Sequence, residues 1–195
     1  MKFNKLLSIL VVLFGLNCEA QVATYKFLPY LTWTKPASEY LAKKFVIDNF
    51  LGSRNETVMF EVDALSSSAS TELVTVAYNC LELNRSGIVL SFWGSFWNDN
   101  GYSMTGYGFK HLNLDSAIML LDRLEMESNY MTNITNKDFN SSFTFSNTTF
   151  LLSQLSNQEK GSVSIRVFWK DFDAGWNIDA IRRTKRRIEK WFKTK

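Results

Sequence analysis

Apolar residues recur at alternate positions along the central part of the chain, a pattern typical of β-strands that bury one face. Four such segments follow one another, at residues 58–65, 74–80, 88–97 and 102–110. Polar segments separate them, the clearest being Asn-Asp-Asn-Gly at 98–101, which is typical of a turn. The sequence therefore predicts an antiparallel meander of four strands.

Three other segments carry apolar residues at helical spacing. The first covers 36–51, starts at a proline suited to a first helical turn, and is followed by Gly52, which suits a helix end. The second is predicted at 114–127 with Asn113 as its N-cap, and the third at 178–193. The chain is thus expected to contain two to three packed helices.

Shorter strands are predicted after the second helix, at 143–145, 149–155 and 163–169, whereas 171–175 is predicted to be a loop. The alternation in 163–169 indicates a sheet with one buried face and one largely wet face. Strands that occur in groups, rather than alternating with helices, are typical of α+β proteins. We therefore expect an α+β fold in which a mainly antiparallel sheet of about 6–7 strands packs against the helices.

The first twenty residues have the features of a secretory signal peptide. Two lysines precede an apolar run at 6–16, and Ala20 suits a cleavage site before Gln21. A lipoprotein acylated on Cys18 is the alternative, although Asn17 departs from the small residue usual before such a cysteine. We expect residues 21–195 to form a single domain without a transmembrane segment, exported to the periplasm or the cell exterior.

The modest formal charge of +3 conceals two parts of opposite sign. The last 17 residues contain eight basic and two acidic residues, a charge of +6, whereas residues 21–178 carry −4. This pattern predicts a basic amphipathic helix at 178–193 that binds an anionic envelope component or a protein partner. Nucleic acid is not expected as the partner of an exported protein. The cations proposed to bind are Arg182, Arg183, Arg186, Arg187 and Lys190.

A second candidate surface lies on the predicted strand 88–97. Trp93 and Trp97 would share one face of that strand with serines, roughly 13 Å apart along it. Two indoles side by side could form a ligand-binding platform for sugar rings or apolar ligands. The alternative is that a helix covers this face and that both tryptophans belong to the core.

Catalytic and metal-binding motifs are not found in the sequence. His111 is the single histidine, and Cys80 lies in phase with apolar strand residues, which indicates a small buried side chain. Gly106 and Gly108 do not form a dinucleotide fingerprint and are expected to mark a bulge or a close approach of backbones. No catalytic residue, metal or cofactor is therefore predicted.

These observations favour a non-enzymatic binding or envelope-interaction domain. The alternatives are a small carboxylate-dependent hydrolase, in which His111 would assist, and a structural role within an envelope complex. The sequence does not fix the oligomeric state.

Overall fold

Two antiparallel sheets and three α-helices make up the part of the fold that the structure, a computed structural model, describes. The structure describes residues 26–27, 35–52, 57–67, 72–97, 103–134, 139–154 and 163–193. The predicted signal peptide, residues 1–20, lies outside the described residues. No helix among the described residues is long and apolar enough to cross a membrane.

The larger sheet, sheet A, has the strand order β1-β5-β4-β3-β2, so that β2 lies at one edge. Its last four strands form the predicted meander, and each pairs with the next along the chain. The two-residue β1, which the sequence pattern did not predict, pairs with β5. The strands are β1 Lys26–Phe27, β2 Glu61–Ser67, β3 Leu73–Cys80, β4 Arg85–Trp97 and β5 Ser103–Leu112.

The smaller sheet, sheet B, has four strands in sequential order. Its side chains alternate between a buried face and a partly exposed face, as predicted for 163–169. A two-residue turn at Ser146 and Asn147, both with positive φ, joins its first two strands. The strands are β6 Asn140–Phe145, β7 Thr148–Gln154, β8 Val163–Trp169 and β9 Phe172–Trp176.

The helices occupy the three predicted positions. Helix α1 (Lys35–Val46) continues into a π-helical turn (Ile47–Leu51) that ends at Gly52, where φ is 74°. Helix α2 (Leu114–Thr132) starts after Asn113, whose side chain accepts a hydrogen bond from the Ser116 amide. Helix α3 (Ile178–Lys193) follows β9 directly.

Sheet A separates two apolar cores. On its outer face, α1 and the π-helical turn pack over residues such as Val76 and Phe109. Its inner face packs against α2, α3 and the buried face of sheet B, in a larger core that includes Phe92, Trp169 and Ile181. The two sheets and the helices α2 and α3 therefore share one core, which fixes α3 relative to the edge of sheet A.

The α+β class and the antiparallel pairing are confirmed, but the predicted number and arrangement of strands are wrong. The described chain has nine strands in two sheets, rather than 6–7 strands in one. The segment 171–175, predicted as a loop, belongs mostly to β9, in which Phe172, Ala174 and Trp176 are buried at alternate positions. Asp173 and Gly175 face away from the core. Because aspartate and glycine are common in loops, these exposed residues made a strand resemble a loop in the sequence.

Candidate functional site

The candidate site is the exposed side of α3, whose orientation is set by its buried side. Asn177 caps the helix, because its side-chain oxygen accepts a hydrogen bond of 2.8 Å from the Ala180 amide. Ile181 and Ile188 are buried in the inner core, about one and about three turns after the cap. Between them, the hydroxyl of Thr184 lies 2.9 Å from that of Thr75 on β3. The cations of α3 are therefore held in fixed directions around a docked helix.

One group of α3 cations faces α2 and is paired with acids there. Lys185 Nζ lies 2.7 Å from Asp122 Oδ1 and 3.1 Å from Glu125 Oε2. Arg182 Nε lies 3.2 Å from Glu125 Oε1 and its Nη2 bonds the side chain of Asn129. The hydrogen bond from Lys185 is the main cause that holds the pKa of Glu125 below its ordinary value. Much of this positive charge is thus neutralised locally.

A second contact joins α3 to the edge strand β2. Arg187 Nη1 donates hydrogen bonds to the carbonyl oxygens of Ala64, at 3.2 Å, and of Leu65, at 2.7 Å. The register of β2 shifts at this point, because Ala64 pairs with Val76 while Ser66 pairs with Thr75. Leu65 is therefore the extra residue of a β-bulge, and Arg187 is held against that bulge.

Arg183 and Arg186 differ from Arg182, because no described contact pairs either of them with an acid. Arg183 and Arg186 are exposed and make no hydrogen bond or ion pair with the described residues, and Lys190 is exposed as well. Asp179 and Glu189 lie on the same exposed side of the helix and lower its net charge. Among the cations predicted to bind, the structure thus separates Arg182 and Arg187, which are bonded to α2 and β2, from Arg183 and Arg186, which have no such contact with the described residues.

A small cavity lies between the β2 bulge and α3. Its volume is about 150 Å³, and Arg183 and Arg187 line it from the helix. The strand contributes Ala64, Leu65, Ser66 and Ser67, so the lining holds two guanidinium groups and two hydroxyls but no carboxylate. We call this the bulge cavity. The sequence pattern does not predict this cavity, although Leu65, an apolar residue directly after Ala64, breaks the alternation of its strand and is a signal for the bulge.

Of the two tryptophans in the predicted platform, the structure describes the side chain of Trp93 but not that of Trp97. Trp93 is partly buried and its ring lies 4.6 Å from that of Tyr107 on the neighbouring strand. Ser91, on the same face, is buried and its hydroxyl lies 3.1 Å from that of Ser38 on α1. Helix α1 therefore covers part of this face. The side chain of Trp97 lies outside the described residues, so the platform stays a prediction.

His111 lies on the outer face of sheet A among aromatic rings. Its Nε2 is 3.1 Å from the hydroxyl of Tyr78, and its ring centroid is 4.3 Å from that of Phe50. Burial lowers the pKa of His111 to about 4 and, as the main cause, raises the pKa of Tyr78 to about 12. No acidic side chain bonds His111 among the described residues, and the carboxylate-dependent hydrolase stays an untested alternative. Cys80 is fully buried, as predicted.

Lys110 is a buried cation that the sequence analysis did not single out. It lies on the inner face of β5, and its ammonium group donates a hydrogen bond to the carbonyl of Ser146 in the β6–β7 turn. The ammonium group is 5.8 Å from the Trp169 ring centroid. Burial, with a further contribution from Lys170, lowers the pKa of Lys110 to about 8. Lys110 therefore links the two sheets rather than contributing to the exposed side of α3.

The described residues bring no three His, Cys, Asp or Glu side chains together in a possible metal site. Comparison of the chain with protein-family models, with curated proteins and with solved structures found no match.

Proposed function

We propose that this protein is an exported, non-enzymatic binding domain that docks onto an anionic lipid surface of the cell envelope through the exposed side of α3. The observation that carries the proposal is the outward direction of Arg183 and Arg186, which have no acidic partner in the described part of the chain. Uncompensated cations near a surface of anionic lipids each contribute about 1 kcal/mol to binding. Export itself is the expectation from residues 1–20.

The burial pattern of α3 supports adsorption onto headgroups rather than insertion between acyl chains. The apolar residues Ile181 and Ile188 point into the inner core, and Trp191 and Phe192 pack against it. The described part of α3 exposes no large apolar side chain. A helix that inserts into a membrane needs such residues on its outward face, whereas electrostatic adsorption does not.

The same pattern disfavours a protein partner on this side. Protein interfaces have a core that is depleted in charge and enriched in aromatic and apolar side chains, with charges at the rim. The exposed side of α3 instead carries charges along its length, from Asp179 to Lys190. We therefore favour a lipid surface over an acidic protein as the partner of α3. If the domain bound an acidic protein but not anionic vesicles, the proposal would be wrong.

The test is co-sedimentation with vesicles of phosphatidylcholine alone or mixed with an equal part of phosphatidylglycerol. The intact domain should bind the mixed vesicles, and this binding should weaken steeply between about 50 mM and about 500 mM salt. Changing both Arg183→Gln and Arg186→Gln should weaken binding by about 30-fold, from about 1 kcal/mol for each cation.

The matched control changes Lys43→Gln and Lys44→Gln on α1, which removes the same charge from the opposite side of sheet A. This control should change vesicle affinity by less than about twofold, because salt screens exposed charges that lie more than a Debye length from the lipid surface. Equal losses in the two double variants, or equal binding to vesicles with and without phosphatidylglycerol, would overturn the proposal.

A further inference from the structure

We infer that the bulge cavity binds one phosphate group, with Arg183, Arg187, Ser66 and Ser67 as its donors. This inference rests on the proposed function and names the headgroup chemistry that α3 would recognise. The source of the phosphate could be a lipid headgroup or free inorganic phosphate, and the experiment below distinguishes them.

The β-bulge is what turns a serine toward the helix. Residues directly opposite on antiparallel strands share a face, and Thr75 points to the inner face, where it meets Thr184. Ser66 pairs with Thr75 and therefore faces α3, whereas Ala64 pairs with Val76 on the outer face. If Leu65 instead paired regularly with Thr75, the two-residue period would place Ser66 on the same face as Ala64.

The carbonyl oxygens of the bulge would repel an anion if they were free, but each has a donor. Arg187 bonds those of Ala64 and Leu65. The hydroxyl of Thr75 donates to the Ser66 carbonyl at 3.3 Å. The hydroxyl of Ser66 makes only a long contact of 3.5 Å with the Ser67 carbonyl, which it would exchange for a bond to phosphate. The carbonyl oxygens of Ala64, Leu65 and Ser66 are thus occupied, and the lining offers guanidinium groups and serine hydroxyls as donors.

Arg187 and Arg183 have complementary roles in this arrangement. Both carbonyl bonds of Arg187 use the same terminal nitrogen, so the other donors of its guanidinium group are available to a ligand. The two bonds also hold the plane of the guanidinium group before a ligand binds. Arg183 makes no bond with a described residue, so its whole donor fork is available to a ligand. Two guanidinium groups without a nearby carboxylate in the lining favour an acceptor-only group such as phosphate.

The size of the cavity limits what it can hold. A volume of about 150 Å³ is equivalent to about five water molecules at about 30 Å³ each. Pockets for complete small molecules have volumes of about 300–1,000 Å³. The bulge cavity therefore suits a single phosphate group, whose remaining substituents would lie outside it, next to the exposed Arg186 and Lys190.

Titration of the folded protein with inorganic phosphate, against sodium chloride of equal ionic strength, tests the site. Calorimetry should show saturable phosphate binding. Arg183→Gln should weaken it at least tenfold, and Ser66→Ala about fivefold, because each removes donors to a charged ligand. Arg186→Gln removes the same charge outside the cavity and should weaken phosphate binding clearly less than Arg183→Gln does. Lys43→Gln, on the opposite side of sheet A, should change phosphate affinity by less than about twofold.

Two outcomes would overturn this inference. One is the absence of saturable phosphate binding, and the other is an equal loss for Arg183→Gln and Arg186→Gln. If vesicle binding nevertheless depends on Arg186, the proposed function stands and the phosphate site does not. If phosphate binds through Arg183 but no vesicles are bound, the site is one for free phosphate and the docking proposal fails. Competition of phosphate with vesicles supports a headgroup as the source.

Discussion

The hydroxyl groups of Thr75 on β3 and Thr184 on α3 lie 2.9 Å apart, and both side chains are buried. Together with the burial of Ile181 and Ile188, this hydrogen bond sets the rotation of α3 about its own axis. It thereby determines that Lys185 faces α2, that Arg187 faces β2, and that Arg183 lines the bulge cavity. The directions of the charged side chains at the candidate site thus depend in part on the buried hydrogen bond between two uncharged threonines.

Thr184→Val should lower the free energy of unfolding by about 1 kcal/mol, because the substitution keeps the shape and removes one buried hydrogen bond. Thr75→Val should cost more, since the Thr75 hydroxyl also donates to the Ser66 carbonyl at 3.3 Å. Urea unfolding of the two single variants and the double variant measures both effects and their coupling. Strictly additive losses would show that the two hydroxyls do not interact.

Gly108→Ala should be strongly destabilising. A methyl group at this position would lie 2.5 Å from the Phe172 ring and 2.9 Å from the Trp169 ring. We expect a loss of about 2–3 kcal/mol in the free energy of unfolding, measured by urea denaturation. Gly94→Ala on the adjacent strand is the matched control, because its nearest contact would be Phe172 at 3.9 Å. A control as damaging as Gly108→Ala would rule out the close contact as the cause.

The glycine also shows how far the sequence could predict the fold. Alternation and caps predict the helices and most strands, and they predict a bulge or a close approach of backbones at Gly108. The approaching groups are aromatic rings of sheet B rather than another backbone. Identifying them required β9, whose alternation of Phe172, Ala174 and Trp176 was concealed by the polar residues between them.

The sequence predicts how many cations the candidate site contains, but it does not predict which of them are paired. The acids that pair with Arg182 and Lys185 lie on α2, about sixty residues earlier in the chain. Arg187 bonds carbonyl groups on β2, more than one hundred residues away. Such pairings depend on tertiary packing, whereas periodicity reports only which side of α3 is apolar. The bulge that completes the cavity depends likewise on the register between β2 and β3.

His111 should make the protein sensitive to acid. Because burial lowers its pKa to about 4, the unfolded chain, whose histidine titrates near about 6.5, takes up the proton first as the pH falls. The free energy of unfolding should therefore decrease from about pH 6.5 to about pH 4 and then level off, with a total loss of about 3 kcal/mol from this group. Urea unfolding over this range, compared with His111→Gln, measures the effect. Parallel pH profiles for the two proteins would contradict it.

Lys110 should make the stability of the protein depend on pH in the alkaline range. Its folded-state pKa of about 8 lies below that of an unfolded lysine, about 10.4, so the folded state releases the proton first. The free energy of unfolding should rise between about pH 8 and pH 10.4, by about 3 kcal/mol in total, as the cost of burying the charge disappears. Lys110→Met should lack this rise, which the difference between the two urea-unfolding profiles would isolate. A rise of equal size in both proteins would assign it to other groups.

Glu125→Gln should strengthen vesicle binding. Glu125 bonds both Arg182 and Lys185, so removing its charge leaves more positive charge on the exposed side of α3. We expect about fivefold tighter binding to vesicles containing phosphatidylglycerol, equivalent to about 1 kcal/mol for one added charge. The free energy of unfolding should fall by at most about 1 kcal/mol, since these ion pairs are partly exposed.

Glu82→Gln is the matched control for this gain. Glu82 lies in the exposed turn between β3 and β4, so its substitution raises the net charge equally without affecting α3. If docking uses α3, vesicle affinity should increase for Glu125→Gln and stay within about twofold for Glu82→Gln, because an exposed charge beyond the Debye length, about 8–10 Å, is screened. An equal increase for both would mean that net charge, rather than the direction of the α3 cations, governs adsorption.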